Sequence, residues 1–557
     1  MASEAAEARA ARASKWLGWL VLAAAWFATA PLRPLFDPDE GRYAEIPREM
    51  LASGDFVTPR FDGLKYFEKP PLQYWATAAV YAAVGLSEWS SRLWSVGLAF
   101  GCLALSFSWT GALYGRVAGL AALTALGVSP YFLVIGHLNL LDAGFTFWLT
   151  AAVFAFTLAQ SAAPASPAER GWMLAAWAAA ALAVLSKGIV VGVLTGGALI
   201  LYSLLERDVR PWRRLHPLPG LALFLVITAP WFIAVSLRNP GFATFFFVHE
   251  HFARFLTTVH QRVEPWWYFL PLLVLGTLPW LAPLARAVGP AWREEPASEP
   301  AAGGAAPVER FKPRRFLLIF AGLTLVFFSA SGSKLAPYIL PMFPLLAAVV
   351  GSRSTDLRRL AATAARVAAA LTLLIAVAGL IYSARRNGFV PAEALGWVAA
   401  AAAIAAAAVV ATLRSSALRP VRAAAGCVLA AVLLWQCLLC AYAAIPPARS
   451  ARDLVAAARP AIGPQTHLYS VGQYRETVSP YLGRMLTVVG YQGELAFGLA
   501  AEPGRQDLST EAFRAAWSAS RDAVAFFDPN IWDAWRRQGF PGRVVAADNY
   551  TVAVSRL

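Results

Sequence analysis

The sequence predicts a polytopic α-helical membrane protein of about thirteen transmembrane helices, with a small C-terminal α/β domain outside the bilayer. Three observations predict it. Of 557 residues, 58% are hydrophobic and only 15% charged, against roughly 25% charged in a soluble domain. Apolar runs of about 17 to 25 residues, each long enough to cross the hydrocarbon layer as a helix, recur up to residue 445. Beyond that point the pattern changes to short strand-like runs separated by polar helical stretches.

Taken in order, the apolar runs fall at 16–36, 72–86, 91–112, 117–135, 138–160, 171–186, 188–205, 217–237, 266–288, 314–331, 335–351, 364–383, 394–413 and 421–444. The first has charged residues before it, as a signal peptide would. Its length and the lack of a small-residue cleavage site mark it as an uncleaved span. Charge patterning then rejects one of the fourteen. With Arg9, Arg12 and Lys15 inside, the loop 37–71 lies outside and the basic loop 206–214 inside, so an odd number of crossings must separate them. Six runs lie there. The run 72–86 and the pair divided at Lys187 are the short ones, and a broken helix is tolerated where it lines a cavity. Alternation onward puts 238–265 and the C-terminal region outside.

The net charge of +15 does not point to nucleic acid. Arg and Lys cluster in short loops, at 207–214, 310–315, 353–359 and 414–422, as the positive-inside rule requires. Cys102, Cys427, Cys437 and Cys440 all sit in apolar runs without metal-ligand spacing and read as packing residues. The segment 293–310, rich in Ala, Pro, Glu and Gly, reads as a flexible inside loop. Within 446–557, the runs Thr466 to Val471, Met485 to Val489, Ala523 to Phe527 and Arg543 to Val554 read as strands. The organisation is therefore a transmembrane domain, 1–445, with outside loops 37–75 and 239–265, and an outside α/β domain, 446–557.

The polar residues are concentrated on the outside face. The first outside loop mixes Asp, Glu, Arg and Lys with Tyr43, Phe56, Phe61, Tyr66, Phe67, Tyr74 and Trp75. Cations suit phosphate, carboxylates suit hydroxyl or amino groups, and rings suit sugar faces. Asp39, Arg42 and Tyr43 share one helical face at i, i+3 and i+4. The competing reading is an amphipathic interface helix whose charges face water. Later spans carry Asp142, Lys187, Lys334 and Tyr338, and charges within a membrane are functional candidates by default. A buried Asp142–Lys187 ion pair remains open alongside that. The second long outside loop holds His249, Glu250, His251, Arg254, His260 and Arg262. His249 and His251 diverge by about 200° on a helix, so joint metal ligation needs non-helical backbone or a partner such as Glu68.

The stretch DEGRYAEIPREMLASGDFVTPRFDGLKYFEKPPLQYW resembles the first loop of bacterial lipid A 4-amino-4-deoxy-L-arabinose transferases, in the GT-C class of polyprenyl-phosphate glycosyltransferases. The resemblance continues through LLDAGFTFW, LSKG, FFFVHEHFARF, PWWYFLPLLVLGTLPW and SKLAPYILPMFPLLA. It covers the first 350 residues well and the remainder in outline, and it extends to the related protein O-mannosyltransferases. It implies a GT-C fold in the bacterial inner membrane with its site facing the periplasm. It also implies an undecaprenyl-phosphate sugar donor, a lipid A phosphate acceptor and contact with membrane lipids. By the same resemblance Asp39 is the essential acidic residue. Arg42, Tyr43, Tyr66, Lys69, Arg254 and Tyr338 bind phosphate and substrate, and Asp142 and Glu68 occupy further cavity positions. No cofactor is required by the chemistry; a divalent metal such as zinc at Glu68 and His249 is the one candidate. Transfer of another sugar to a glycolipid or to protein Ser/Thr, or transport of lipid or sugar, are the alternatives.

Overall fold

The computed structural model describes residues 16–253, 264–293, 311–354, 356–385, 390–414, 420–445 and 449–556. The chain divides into two compact units. The first contains Met1–Ala30, Ser95–Phe232 and Phe247–Ala444, and the second Pro31–Trp94, Ile233–Phe246 and Ile445–Leu557.

The first unit is helical. Among the described residues nine helices are long and apolar enough to cross a membrane, and the bent pair Arg116–Gly127 and Pro130–Gly136 makes a tenth. Trp16–Phe27, Val190–Glu206 and Ala336–Gly351 are apolar but shorter; taken as crossings as well, they bring the set to the thirteen expected. Leu141–Ser161 and Pro420–Ala444 have 72% of their apolar windows buried, whereas Ala392–Leu413 has 17%. The first two are therefore central, and the last is apolar all round because it faces hydrocarbon. The four cysteines are free and buried, as packing residues should be.

The rejected span is the run 72–86. It folds as Leu72–Val84, 13 residues, and is not among the apolar helices, long or short, that could cross. Gln73, Tyr74 and Thr77 lie on its buried face. Taken as crossings, the five helices or helix pairs between Glu88 and Glu206 supply the odd number that the charge asymmetry demands.

In the second unit the first outside loop folds as helix Asp39–Ser53, a two-stranded ribbon of β1 (Arg60–Phe61) and β2 (Leu64–Lys65), and Leu72–Val84. The C-terminal region builds a six-stranded sheet from β3 (His467–Val471), β4 (Thr487–Val489), β5 (Asp507–Leu508), β6 (Ala523–Phe527), β7 (Arg543–Ala547) and β8 (Val552–Ser555). The order is β5-β4-β3-β6-β8-β7. Strands β3 to β6 pair in parallel, while β8 joins β6 and β7 antiparallel. Every residue of β6, Ala-Val-Ala-Phe-Phe, is buried, as a parallel strand covered on both faces requires. Phe513, Trp517, Phe527 and Trp532 fill the core against the sheet.

Two expectations are corrected here. The stretch Arg543 to Val554 is a hairpin and not one strand. The Asp548 carboxylate accepts the Tyr550 and Thr551 amides, both at 2.8 Å, and this local turn breaks the run. Strand β5 was not anticipated; its two residues carry no alternation to read.

The first outside loop is fastened to the C-terminal sheet domain. Asp62 Oδ1 accepts the Leu486 amide at 2.8 Å. Arg60 grips Glu502 through both terminal nitrogens at 2.8 and 3.1 Å. Asp37 accepts Arg475 Nε and the Thr477 amide, each at 2.8 Å. The segment 233–246 joins them: Asn239 Nδ2 donates to Thr58 Oγ1 at 2.9 Å, and Phe242 and Phe245 pack on Phe67 and Phe497.

Candidate active site

Helix Asp39–Ser53 carries the central residues and is buried over most of its surface, including Glu40, Arg42, Tyr43, Glu45, Ile46 and Glu49. The reading of a water-facing amphipathic helix is thereby excluded. Its start is held by Glu40, which takes a bidentate bond from Arg92 at 2.7 and 2.7 Å. The same guanidinium donates to the carbonyls of Arg33 and Pro34. Gly41 is dictated by packing. A Cβ there would lie 2.6 Å from the Glu476 carbonyl carbon and 2.7 Å from the Thr477 nitrogen, backbone atoms that cannot swing aside.

The expected face of Asp39, Arg42 and Tyr43 forms. Arg42 Nη1 donates to Asp39 Oδ1 at 3.1 Å, and its Nη2 pairs with Glu494. Its guanidinium lies 5.9 Å from the Tyr43 ring and 5.8 Å from the Tyr66 ring. Burial opposes the charge of Arg42, but Tyr66, Glu494 and Asp39 outweigh it and hold the guanidinium protonated. Asp39 itself keeps 38% of its side chain exposed, so it can meet a ligand from the open side.

Beside this pair, Arg42 Nε and the Tyr66 and Tyr74 hydroxyls are buried without a hydrogen-bond partner. Each hydroxyl feels Arg42, Glu68 and Glu494, and burial pushes the Tyr66 phenol up. An unsatisfied buried donor costs about 1–3 kcal/mol. Three of them around one guanidinium describe a cradle for an oxyanion. Lys69 lies at the same loop, with Nζ 3.7 Å from the Glu68 carboxylate and donating to the Glu68 carbonyl at 2.9 Å. Glu476 is buried near Arg42 and Glu494, and burial and the Asp37 charge push its carboxyl up to about 8.

The first unit holds a second polar cluster. Lys187, the last residue of helix Pro167–Lys187, pairs with Asp142 in the first turn of helix Leu141–Ser161. Its ammonium lies 4.4 Å from the Tyr338 ring and 5.2 Å from that of Phe145. The structure thus brings Asp142, Lys187 and Tyr338 together, with the two charges satisfying each other. Lys334 donates to the Ser331 carbonyl at 2.7 Å.

His249 lies 3.5 Å from the Glu250 carboxylate. Among the described residues no three His, Cys, Asp or Glu side chains gather as a cation would need, and the Glu68 carboxylate lies 3.7 Å from Lys69. Arg254 lies outside the described residues.

Three residues of this geometry were not anticipated: Tyr74, Glu476 and Glu494. Tyr74 stands in the aromatic-rich loop, and its place on the short helix Leu72–Val84 could have flagged it. Glu476 and Glu494 belong to the C-terminal region, and nothing local in their sequence points to Arg42.

Residues 15–246 match the family described as dolichyl-phosphate-mannose-protein mannosyltransferase, and residues 454–556 match the aminoarabinose transferase C-terminal domain. With the helical unit and the sheet domain, these place the chain among membrane glycosyltransferases of the GT-C fold. The crystal structure of ArnT from Cupriavidus metallidurans bound to undecaprenyl phosphate is similar at 32% identity, covering 98% of each chain with a TM-score of 0.84; its apo state gives the same values. The undecaprenyl phosphate-α-4-amino-4-deoxy-L-arabinose arabinosyl transferase of Aeromonas salmonicida is 35% identical over 328 residues, 58% of this chain and 57% of its own length. A relative of that name in Sodalis glossinidius is 35% identical over 387 residues, 66% of each. The chain thus spans between 57% and 66% of the length of these two curated relatives. It belongs to the ArnT family.

Proposed function

We propose that the chain transfers 4-amino-4-deoxy-L-arabinose from undecaprenyl phosphate to a phosphate of lipid A on the periplasmic side of the bacterial inner membrane. The observation that carries this reading is the oxyanion cradle of Arg42 Nε with the Tyr66 and Tyr74 hydroxyls, all buried and unpaired.

The chemistry needs little beyond charge placement. The donor is a phosphodiester, and breaking its anomeric C–O bond returns the electron pair to the carrier phosphate, which becomes a dianion. Cations and hydroxyls aimed at that phosphate bind the transition state more strongly than the ground state. Arg42, Lys69, Tyr66 and Tyr74 take this role, and Tyr43 lines the same face. An oxygen of the acceptor phosphate forms the new bond at the anomeric carbon, with inversion in a single displacement. That oxygen carries no proton, so no general base is required. Asp39 instead orients the sugar and offsets positive charge developing at the anomeric carbon, while its bond to Arg42 fixes both side chains. The Asp142–Lys187 pair holds Tyr338 in place through the ring contact. A leaving group that is already ionised has no need of a resident metal.

The test is transfer by the purified full-length protein from undecaprenyl-phosphate aminoarabinose to lipid A, followed by mass spectrometry. Asp39→Asn should lose about 100-fold or more in kcat while still binding donor. Near wild-type kcat in that variant would overturn the assignment of Asp39. Unmodified lipid A together with glycosylated protein Ser or Thr would overturn the acceptor.

A further inference from the structure

In the helical unit, at the end of helix Leu141–Ser161 remote from Asp142, four helices leave an apolar cavity of about 240 Å³. They are Leu141–Ser161, Pro167–Lys187, Val190–Glu206 and Pro313–Ala330. Val153, Phe156, Met173, Leu199 and Phe320 form its walls, and Trp212 closes it beside the basic loop. Its three polar side chains already have partners within the protein. Thr195 Oγ1 donates to the Val191 carbonyl at 2.7 Å, Trp177 Nε1 to the Leu215 carbonyl at 2.8 Å and Trp212 Nε1 to Ser203 Oγ at 2.9 Å. A buried water needs two to four polar partners, whereas an apolar cavity of roughly 150 Å³ stays dry and takes benzene. The occupant that fits is hydrocarbon.

The charges of the loop that carries Trp212 say which hydrocarbon. Among the described residues the acidic groups of this neighbourhood are paired: Glu206 with Lys312 and Arg315, Asp208 with Arg210, and Glu169 with Arg214. Arg207 and Arg213 are exposed and have no carboxylate partner among the described residues. Charge asymmetry places this loop on the cytoplasmic side, where the leaflet is anionic. We infer that the cavity takes one acyl chain of an anionic phospholipid of the cytoplasmic leaflet, its phosphate held by Arg207 and Arg213. This lipid is distinct from donor and acceptor, which are handled on the other face.

Gly196 lines the cavity, and a Cβ there meets nothing within 4 Å. A leucine at this helical position points its side chain into the space. Gly192, on the same helix and equally open, is not part of the lining and serves as the control. The experiment is native mass spectrometry of the full-length protein released from detergent, with dioleoyl phosphatidylglycerol or dioleoyl phosphatidylcholine added. The wild type should retain one phosphatidylglycerol in preference to phosphatidylcholine, by about fivefold for each arginine engaged. Gly196→Leu should lose the retained lipid, and Gly192→Leu should keep it. Arg213→Glu, at an exposed position, should keep a lipid but lose the preference. The inference fails if the wild type holds both lipids equally or if Gly196→Leu retains phosphatidylglycerol as the wild type does. Should Gly196→Leu not fold, unchanged selectivity in Arg213→Glu overturns it alone.

Discussion

Gly41→Ala adds one methyl group next to Asp39 without touching any charged side chain. The added carbon would lie 2.6 Å from the Glu476 carbonyl carbon and 2.7 Å from the Thr477 nitrogen, about 0.8 Å inside ordinary contact. Both atoms are backbone, so the strap 475–477 has to move as a whole. That strap holds Asp37 through Arg475 Nε and the Thr477 amide and carries the buried Glu476 carboxyl. Overpacking of this kind costs about 1–3 kcal/mol. Displacement of a site by roughly 1 Å costs on the order of 100-fold in rate. The expected outcome is a variant that still inserts and still binds donor, with kcat about 100-fold lower and a reduced melting temperature. Gly18→Ala, whose added methyl meets nothing within 4 Å, is the control. The assays are steady-state transfer from undecaprenyl-phosphate aminoarabinose and intrinsic-fluorescence melting in detergent. Wild-type kcat together with an unshifted melt would refute the claim that this backbone contact sets the geometry around Asp39.

Two further outcomes are expected. Burial and the Asp37 charge push the Glu476 carboxyl up to about 8, from 4.5 for an ordinary Glu. The folded protein therefore keeps a proton that the unfolded chain releases, and this contribution to stability is full below pH 4.5 and lost as the pH rises toward about 8. Melting of Glu476→Gln should match the wild type at pH 4.5 and exceed it at pH 8; parallel melting curves across that range would exclude the effect. Lys187→Met leaves the Asp142 carboxylate buried without its partner and should cost about 3–5 kcal/mol. The double variant Asp142→Leu with Lys187→Met should recover the melting temperature but not transfer, because the ammonium contact with Tyr338 is gone. Additive losses in the double variant would show that the pair is not coupled.

The sequence carried the parts of this architecture that depend on local composition. Apolar length located the spans, and charge asymmetry required that one of fourteen be removed. It could not choose which, since 72–86 and the runs around Lys187 are all short; the buried Gln73, Tyr74 and Thr77 of Leu72–Val84 explain the choice only once packing is known. Helical spacing put Asp39, Arg42 and Tyr43 together, and the 3.1 Å bond between Asp39 and Arg42 bears that out. Glu494 pairs with Arg42 from a position 452 residues further along, and no periodicity reaches that far. The Asp548 turn was present as an Asp-Asn pair between two β-branched runs, a signal that strand continuity obscured. For Asp142 and Lys187 the sequence favoured a functional charge and kept a structural pair as the alternative, because either is a solution to a charge in the membrane.

The fastening of the first loop has a consequence for how the protein is made. Asp62 waits for the amide of Leu486, 424 residues downstream. At roughly 5–20 residues per second of synthesis, that partner follows about 20 to 85 s later. Throughout that interval Asp62 lacks the Leu486 amide and Asp37 lacks Arg475 and Thr477, so the first loop reaches its final geometry only after the C-terminal domain has been made.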